Sequence, residues 1–281
     1  MSAQPSRPSA LAAFRAGFAR RQAAELLEVP GGVVVRDHAF ALSHEHNQLL
    51  VDGAIDPTAL PEPVTLPEPA ALPEPAALPE LAERHLGDLR YRRINVLDEA
   101  LGAACTPVLL AAGYQRDTEL LMARSTSGVA LPAVPAREVE PADFRDALLG
   151  QLHTWMPGPA QAELRAQLAD RRTARRRGAP DVRFLACYTD QGEVAAWADL
   201  YLDPDAGLAQ LEDVVTADAH TRQGHGDTLL TTALARAAAA GCGELFLLAD
   251  AADWPRQWYA RRGFEVLGRS YAFVLRQGSG G

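Results

Sequence analysis

Gly224 and Gly226 sit one residue apart at a junction where a strand-like run, 209–216, crosses a short polar turn and meets a helix-like stretch, 227–240. Glycines at such a junction let backbone N–H groups approach a ligand with no side chain in the way. The helix adds its own unpaired N–H groups and the positive end of its dipole. Together these features read as a cradle for a pyrophosphate. No Lys-Ser/Thr pair follows the glycines, which argues against a P-loop. No third glycine stands at the dinucleotide-binding spacing either. Upstream, Glu212 and Asp213 place adjacent carboxylates on the strand-like run, where such a group can take a proton from a nucleophile.

Two other constellations compete for a role. His44 and His46 flank Glu45 at i, i+2, so on a strand they share a face and could hold a metal ion. No third ligand of suitable spacing is evident, so structural or substrate-facing histidines are expected, and no metal. Arg171, Arg172, Arg175, Arg176 and Arg177 form a charge run, which reads as a solvated loop.

The elements that must position these groups follow from pattern. Beyond the glycine turn, 243–249 reads as a buried strand, 254–262 as a short helix and 271–275 as a further strand. The short helix carries Tyr259-Ala-Arg-Arg-Gly263-Phe264. Strand, glycine turn, helix, strand, helix with Y-x-x-x-G-F, strand: this order resembles the GNAT N-acetyltransferase superfamily over about 136–276, most closely over 209–276. The resemblance implies an α/β (α+β) fold with a mixed, mostly antiparallel sheet flanked by helices. It also implies acetyl-CoA as co-substrate. In that family the G-x-G turn holds the coenzyme A pyrophosphate, and the tyrosine before G-F protonates the leaving thiolate. Carried over, the phosphate contacts fall on Arg222, Gln223, Gly224, His225, Gly226, Asp227 and Thr228, and the acid on Tyr259. Val214 and Thr216 match positions flanking the acetyl-pantetheine arm, with a backbone N–H near Val214 or Val215 as oxyanion donor. Where the family usually has Arg or Gln three residues before the first glycine, this chain has Thr221, with Arg222 adjacent.

Strand alternation nominates a general base. Counting back from the turn, Thr216, Val214, Glu212 and Gln210 project to one face, and Val215, Asp213 and Leu211 to the other. Glu212 then lies on the face of the acyl arm and becomes the candidate base, or a group that binds a cationic substrate. Asp213 replaces it if a β-bulge slips the register. His220 and His225 are expected to face solvent and to pack, respectively.

The rest of the chain divides in two. A helix-like start with Leu11, Phe14 and Phe18 at helical spacing precedes a strand pair at 32–36 and 39–42. Residues 60–80 repeat every six (L-P-E-P-V-T, L-P-E-P-A-A twice, then L-P-E-L-A-E) and read as an extended, polyproline-like spacer. Strands at 93–97 and 119–123 bracket a helix at 99–112. There, Leu110-Ala-Ala-Gly113-Tyr114 echoes Ala260-Arg-Arg-Gly263-Phe264. The echo points to a tandem arrangement: a degenerate copy without a G-x-G turn over 1–124, with its Pro/Glu-rich insert at about 55–80, a linker at 125–136, an acyl-CoA-binding copy over 137–276 and a tail at 277–281. In the second copy, helices are expected at 141–152 and 158–172, then a hairpin of 183–188 with 193–201.

Bulk composition sets outer limits. With 27 basic against 36 acidic residues and a net charge of −9, the chain lacks the basic balance that nucleic-acid phosphates demand. All the basic residues are arginine, and with the Ala, Pro and Gly content this suggests a bacterial, high-GC origin. Three widely spaced cysteines, with no C-x-x-C, fit a reducing, cytoplasmic setting. No stretch is long and apolar enough to span a bilayer. The expected function is acyl transfer from acyl-CoA to the primary amine of a small molecule or a peptide, with a catalytically inactive acyl-CoA-binding module as the alternative. Neither nucleic-acid nor membrane partners are expected, and a homodimer is left open.

Overall fold

The computed structural model describes residues 6–52 and 74–276. Their contacts divide the chain into two compact units. The first comprises Met1–Leu121, Ala249–Trp258 and Val266–Gly281, and the second Met122–Leu248 and Tyr259–Glu265.

The first unit opens with helix α1 (Arg7–Gln22), capped by Ser6, whose hydroxyl accepts from the Ser9 N–H. Leu11, Phe14 and Phe18 form its buried stripe, as their spacing implies. Strands β1 (Glu25–Val29) and β2 (Gly32–Arg36) make an antiparallel hairpin. Strand β3 (Gln48–Val51) runs antiparallel to β2, and β4 (Tyr91–Val96) parallel to β3. Helices α2 (Leu78–Leu86) and α3 (Glu99–Ala111) flank β4 in the chain, and strand β5 (Gln115–Ser125) follows. The C-terminal strand β11 (Glu265–Arg276) closes this unit's sheet against β4, antiparallel. Val34, Leu49, Ile94, Val96, Leu109 and Phe273 lie in its core.

Two expectations change here. The partner of β2 is β1, not 39–42, which instead begins a 3-10 turn (His38–Phe40) with the Asp37 carboxylate accepting from the Ala39 N–H. Most of the Pro/Glu repeat, 53–73, lies outside the described residues. Its last part is not extended: Pro75–Ala77 is a 3-10 turn, and Pro79 starts α2. Proline is tolerated in a first helical turn because the N–H it lacks has no intrahelical partner there.

The second unit contains β6 (Arg137–Val139), α4 (Pro141–Trp155), α5 (Ala162–Asp170), α6 (Arg172–Arg175), β7 (Asp181–Tyr188), β8 (Val194–Asp203), β9 (Leu208–Thr216), α7 (His225–Ala239) and most of β10 (Glu244–Asp250). The helix expected at 158–172 is therefore broken: α5 stops at Asp170, and α6 is a separate turn. Strands β6, β7, β8 and β9 pair antiparallel in that order, and β10 pairs parallel with β9. Helix α8 (Pro255–Ala260) precedes β11. Each unit thus holds a mixed, mostly antiparallel sheet with flanking helices.

The element order β1–β2–β3–α2–β4–α3–β5 recurs as β7–β8–β9–α7–β10–α8–β11. The ladders recur too, with two antiparallel pairs followed by a parallel one. The echoed segments close identically. Gly113 and Gly263 adopt φ values of +88° and +82°, and the N–H groups of Tyr114 and Phe264 donate to the carbonyls of Leu109 and Tyr259. Leu109 therefore occupies in the first repeat the place of Tyr259 in the second. The connection from β3 to α2 carries the Pro/Glu repeat, whereas that from β9 to α7 is the glycine turn.

Candidate active site

Strand β9 is regular until Glu212. Asp199 of β8 pairs with Glu212, whereas Trp197 pairs with Val215. One β8 residue, Ala198, is thus matched by two on β9, Asp213 and Val214, which is a β-bulge. Asp213 adopts φ +48°, a left-handed conformation uncommon outside glycine. The parity expected of an unbroken strand fails at this point. Val215 packs beside Trp197 and Phe144 on the face that α4 and α5 cover. Thr216, paired with Ala196, lies on the opposite face. Glu212 and Thr216, expected on one face, are separated by the extra residue.

Glu212 and Asp213 meet a dense charge cluster. The Glu212 carboxylate accepts from the Gln210 side-chain amide (3.0 Å) and stands 3.8 Å from an Arg175 nitrogen. Asp213 accepts from Arg171 (2.9 Å), Arg172 (3.0 Å) and Arg175 (2.8 Å). Asp199 accepts from Arg172 (2.9 Å) and Arg175 (2.5 Å). Arg172 and Arg175 are each 1% exposed, and Asp199 is fully buried. The arginine run is therefore not a solvated loop. Two of its members rank with the largest buried side chains of the described residues, paired with the buried Asp199 and the partly exposed Asp213. Burial alone would raise the Asp213 carboxyl, but the charges of Arg175, Arg171 and Arg172 hold it well below the usual carboxylate range. A carboxylate bonded by three guanidinium groups is a weaker proton acceptor than Glu212, which has one guanidinium at 3.8 Å, so the geometry favours Glu212 over Asp213.

Tyr259 is buried and packs edge-on against Phe264, with ring centroids 5.7 Å apart. Burial pushes its phenol well above the ordinary tyrosine value, and the negative charge of Glu212 pushes in the same direction. These two side chains, 47 positions apart in the chain, thus share one electrostatic environment.

The glycine turn has the geometry of a cradle. Arg222 and Gly224 both take positive φ, +63° and +87°, so successive peptide planes turn inward before α7 begins at His225. The first α7 N–H with a partner back along the helix is that of Thr228, which donates to the Gly224 carbonyl (3.0 Å). The N–H groups of His225, Gly226 and Asp227 precede the helical ladder and are available to an anion. Thr221 turns its hydroxyl to the Asp218 carbonyl (3.2 Å), so it closes the turn and presents no cation. The Asp227 carboxylate pairs with Arg262, which leaves its backbone as the phosphate-facing part. Gln223 is exposed, His225 half-buried, and the His220 and His225 rings meet edge-on.

The remaining candidates resolve simply. His44 lies tilted against Tyr91 with ring centroids 3.9 Å apart, while His46 is buried with its Nδ1 beside the Ser43 hydroxyl (3.0 Å). Their partners differ, and among the described residues no group of three His, Cys, Asp or Glu is arranged to hold a metal. Among those residues, no helix is long and apolar enough to cross a membrane. The Arg172–Arg175 pair escaped the sequence reading. Its one signal was the i, i+3 spacing, which puts both guanidinium groups on one helix face.

Comparison with known proteins agrees with this architecture. Residues 147–264 match the model of the acetyltransferase (GNAT) family. None of the curated proteins matches the chain. Among solved structures, a GCN5-related N-acetyltransferase from Kribbella flavida is similar at a TM-score of 0.61 and 17% identity, covering 98% of both chains. A conserved protein from Staphylococcus epidermidis ATCC 12228 is similar at a TM-score of 0.63 and 13% identity, covering 90% of this chain and 93% of that one. A tandem GNAT protein from the clavulanic acid biosynthesis pathway is similar at a TM-score of 0.54 and 16% identity, covering 100% of this chain and 91% of that one.

Proposed function

From the match of residues 147–264 to the acetyltransferase (GNAT) family model, we propose an N-acyltransferase that moves an acetyl or other short acyl group from acyl-CoA to a primary amine. The observation that carries this reading is the glycine cradle, with Arg222 and Gly224 at positive φ just before α7, in the unit that also holds Glu212 and Tyr259. The β9–α7 turn would take the pyrophosphate of acetyl-CoA on the backbone N–H groups of residues 223–227, helped by Arg222 and the Thr228 hydroxyl. The bulge at Asp213 and Val214 breaks the β8–β9 ladder. It leaves backbone N–H groups near Val214 and Val215 as the donors for an oxyanion.

The chemistry then runs as follows. Glu212 takes a proton from the ammonium, directly or through water. The neutral nitrogen attacks the thioester carbonyl and an N–C bond forms; the nitrogen gives its second proton to water, and the tetrahedral oxyanion collapses to the amide with loss of the C–S bond. Tyr259 supplies the proton that the departing thiolate needs. The two groups are coupled in a useful sense: Glu212 raises the phenol only while it is ionised. Once it holds the amine's proton, that contribution disappears and Tyr259 becomes a stronger acid as the thiolate leaves. The negative net charge favours a cationic acceptor, either a small molecule or a peptide.

The tandem organisation belongs to the same proposal. The first repeat has Leu109 in place of the tyrosine and the Pro/Glu repeat in place of the glycine turn, so it serves as a degenerate copy without a coenzyme site. A second reading, an acyl-CoA-binding module with no turnover, draws on Thr221, which puts no cation in the turn. Calorimetric titration with acetyl-CoA beside a Gly226→Trp control, followed by an amine screen, separates the two. Binding with transfer supports the enzyme, binding without transfer to any amine supports the module, and no binding overturns both.

A further inference from the structure

We propose that Arg175 is a positioning residue for Glu212, holding its carboxylate ionised and aimed through the buried cluster that also pins the β9 bulge. This rests on the reading of Glu212 as the general base. Charge count and geometry carry the argument. Around the bulge, Arg171 at the end of α5 and Arg172 and Arg175 on α6 face Asp199 of β8 and Asp213 of β9. Three cations therefore face two aspartates, and Glu212, with Arg175 at 3.8 Å, supplies the third anion that balances the group.

An excess charge is costly at the buried centre of the cluster, Arg172, Arg175 and Asp199, while Glu212 and Asp213 at its edge keep about a quarter of their side chains exposed. Protonation of Glu212 would leave the cluster one positive charge in excess. The cluster thereby favours the carboxylate, the form a base requires. On the opposing side, the ionised Asp213 next to Glu212 and Asp199 across the ladder repel it, and the Tyr259 phenol stays neutral. Each aspartate is already occupied by two or three guanidinium groups, and Arg175 is the guanidinium that also stands 3.8 Å from Glu212.

Orientation follows from the same contacts. One Glu212 oxygen is held by Gln210 and the other faces Arg175, which fixes the carboxylate plane. Arg175 also bonds Asp213, so the left-handed residue that creates the bulge and the carboxylate beside it are tied to one guanidinium. A fork of fixed geometry can do this, whereas an ammonium can hold the charge but not the plane.

The test uses the full chain and the amine acceptor found in the screen. Turnover at saturating acetyl-CoA is followed against pH for the wild type, Glu212→Gln, Arg175→Gln and Arg175→Lys, with thermal unfolding of each. Glu212→Gln should remove the acid limb of the profile; if the limb persists, the general-base reading fails and the inference with it. Arg175→Gln should move that limb upward by about one pH unit, because ionisation loses its nearest cation. Arg175→Lys should return the limb to within a few tenths of a unit of wild type while turnover stays reduced about tenfold. A limb removed by Glu212→Gln but unmoved in folded Arg175→Gln would overturn the role of Arg175 and leave the base assignment standing. If Arg175→Gln does not fold, Arg171→Gln, at the rim of the same cluster, should give a smaller upward move. An unmoved limb there would equally overturn the proposal.

Discussion

Asp199 and Glu212 oppose each other directly across the β8–β9 ladder, and the next β9 residue, Asp213, is the one that breaks the register. Three carboxylates meet within two positions of the bulge, yet their surroundings assign them different tasks. Asp199 is buried against two guanidinium groups, Asp213 is held by three, and Glu212 is held by the Gln210 amide with Arg175 at 3.8 Å.

Replacing Glu212 and Asp213 in turn should therefore produce opposite phenotypes. Glu212→Gln is expected to lower turnover about 10²-fold, the usual contribution of a positioned base, with little change in acetyl-CoA affinity and a stability loss smaller than that of Asp213→Asn. Asp213→Asn removes the partner of three arginines and should cost about 3 kcal/mol in folding, as breaking buried ion pairs does. Parallel steady-state kinetics and urea unfolding check both. Equal turnover of Glu212→Gln and wild type would remove Glu212 as the base.

Tyr259→Phe keeps the ring that packs on Phe264 and deletes only the hydroxyl. Turnover should fall about 10²-fold while acetyl-CoA affinity stays within twofold of wild type. Because burial and Glu212 both raise this phenol, Tyr259 remains protonated through the ordinary working range. Any loss of rate between pH 7 and pH 10 should therefore persist unchanged in Tyr259→Phe, and a basic limb that vanished in the variant would contradict the assignment.

Much of this was legible in the residues, and the failures have a common cause. The glycine turn, the Y-x-x-x-G-F helix end and the echo at Leu110–Tyr114 are local signals. Each depends on a backbone conformation that glycine alone adopts easily, as the φ values of Gly113, Gly224 and Gly263 show. What was misread depends on partners distant in sequence. The arginine run resembles a solvated loop until Asp199 and Asp213, 24 to 42 positions away, are folded against it. The parity of β9 fails because an unpaired residue on one strand is visible only against its neighbour. Pro75 and Pro79 looked incompatible with helix because the count of prolines hid their placement in first turns.

The cradle makes its own prediction. Gly224 takes φ +87° with open space around a Cβ added to it, so Gly224→Ala meets a conformational obstacle and no steric one. Holding alanine in that conformation costs about 1–2 kcal/mol. If the turn relaxes to avoid this cost, acetyl-CoA affinity should fall about tenfold with the fold intact. Calorimetric titration of the variant decides the point: unchanged affinity would mean that the phosphates are held elsewhere.

Among the described residues, four carboxylates are held low, Asp88 and Glu119 in one unit and Asp170 and Asp213 in the other, and acid stability should follow chiefly Glu119 and Asp213, since solvent screens the exposed Asp88 and Asp170. Burial would raise Glu119, but Arg15, Arg93 and the Ser270 hydroxyl bring it below its ordinary value, as the three arginines do for Asp213. A group depressed in the folded chain contributes stability that is fully present above its unfolded value, about 4, and is lost as pH falls toward the folded one. Asp52 runs the other way: burial outweighs Arg20 and raises it, so protonation offsets a small part of the loss just above pH 4. Unfolding free energy should thus be nearly flat from pH 8 to about 5 and fall below 4. Each depressed group should add up to about 1.4 kcal/mol per pH unit to that fall. Glu119→Gln should start lower and lose one group's share of the slope, measured by urea unfolding at successive pH values. A slope equal to that of wild type would mean that Glu119 titrates alike in the folded and unfolded chains.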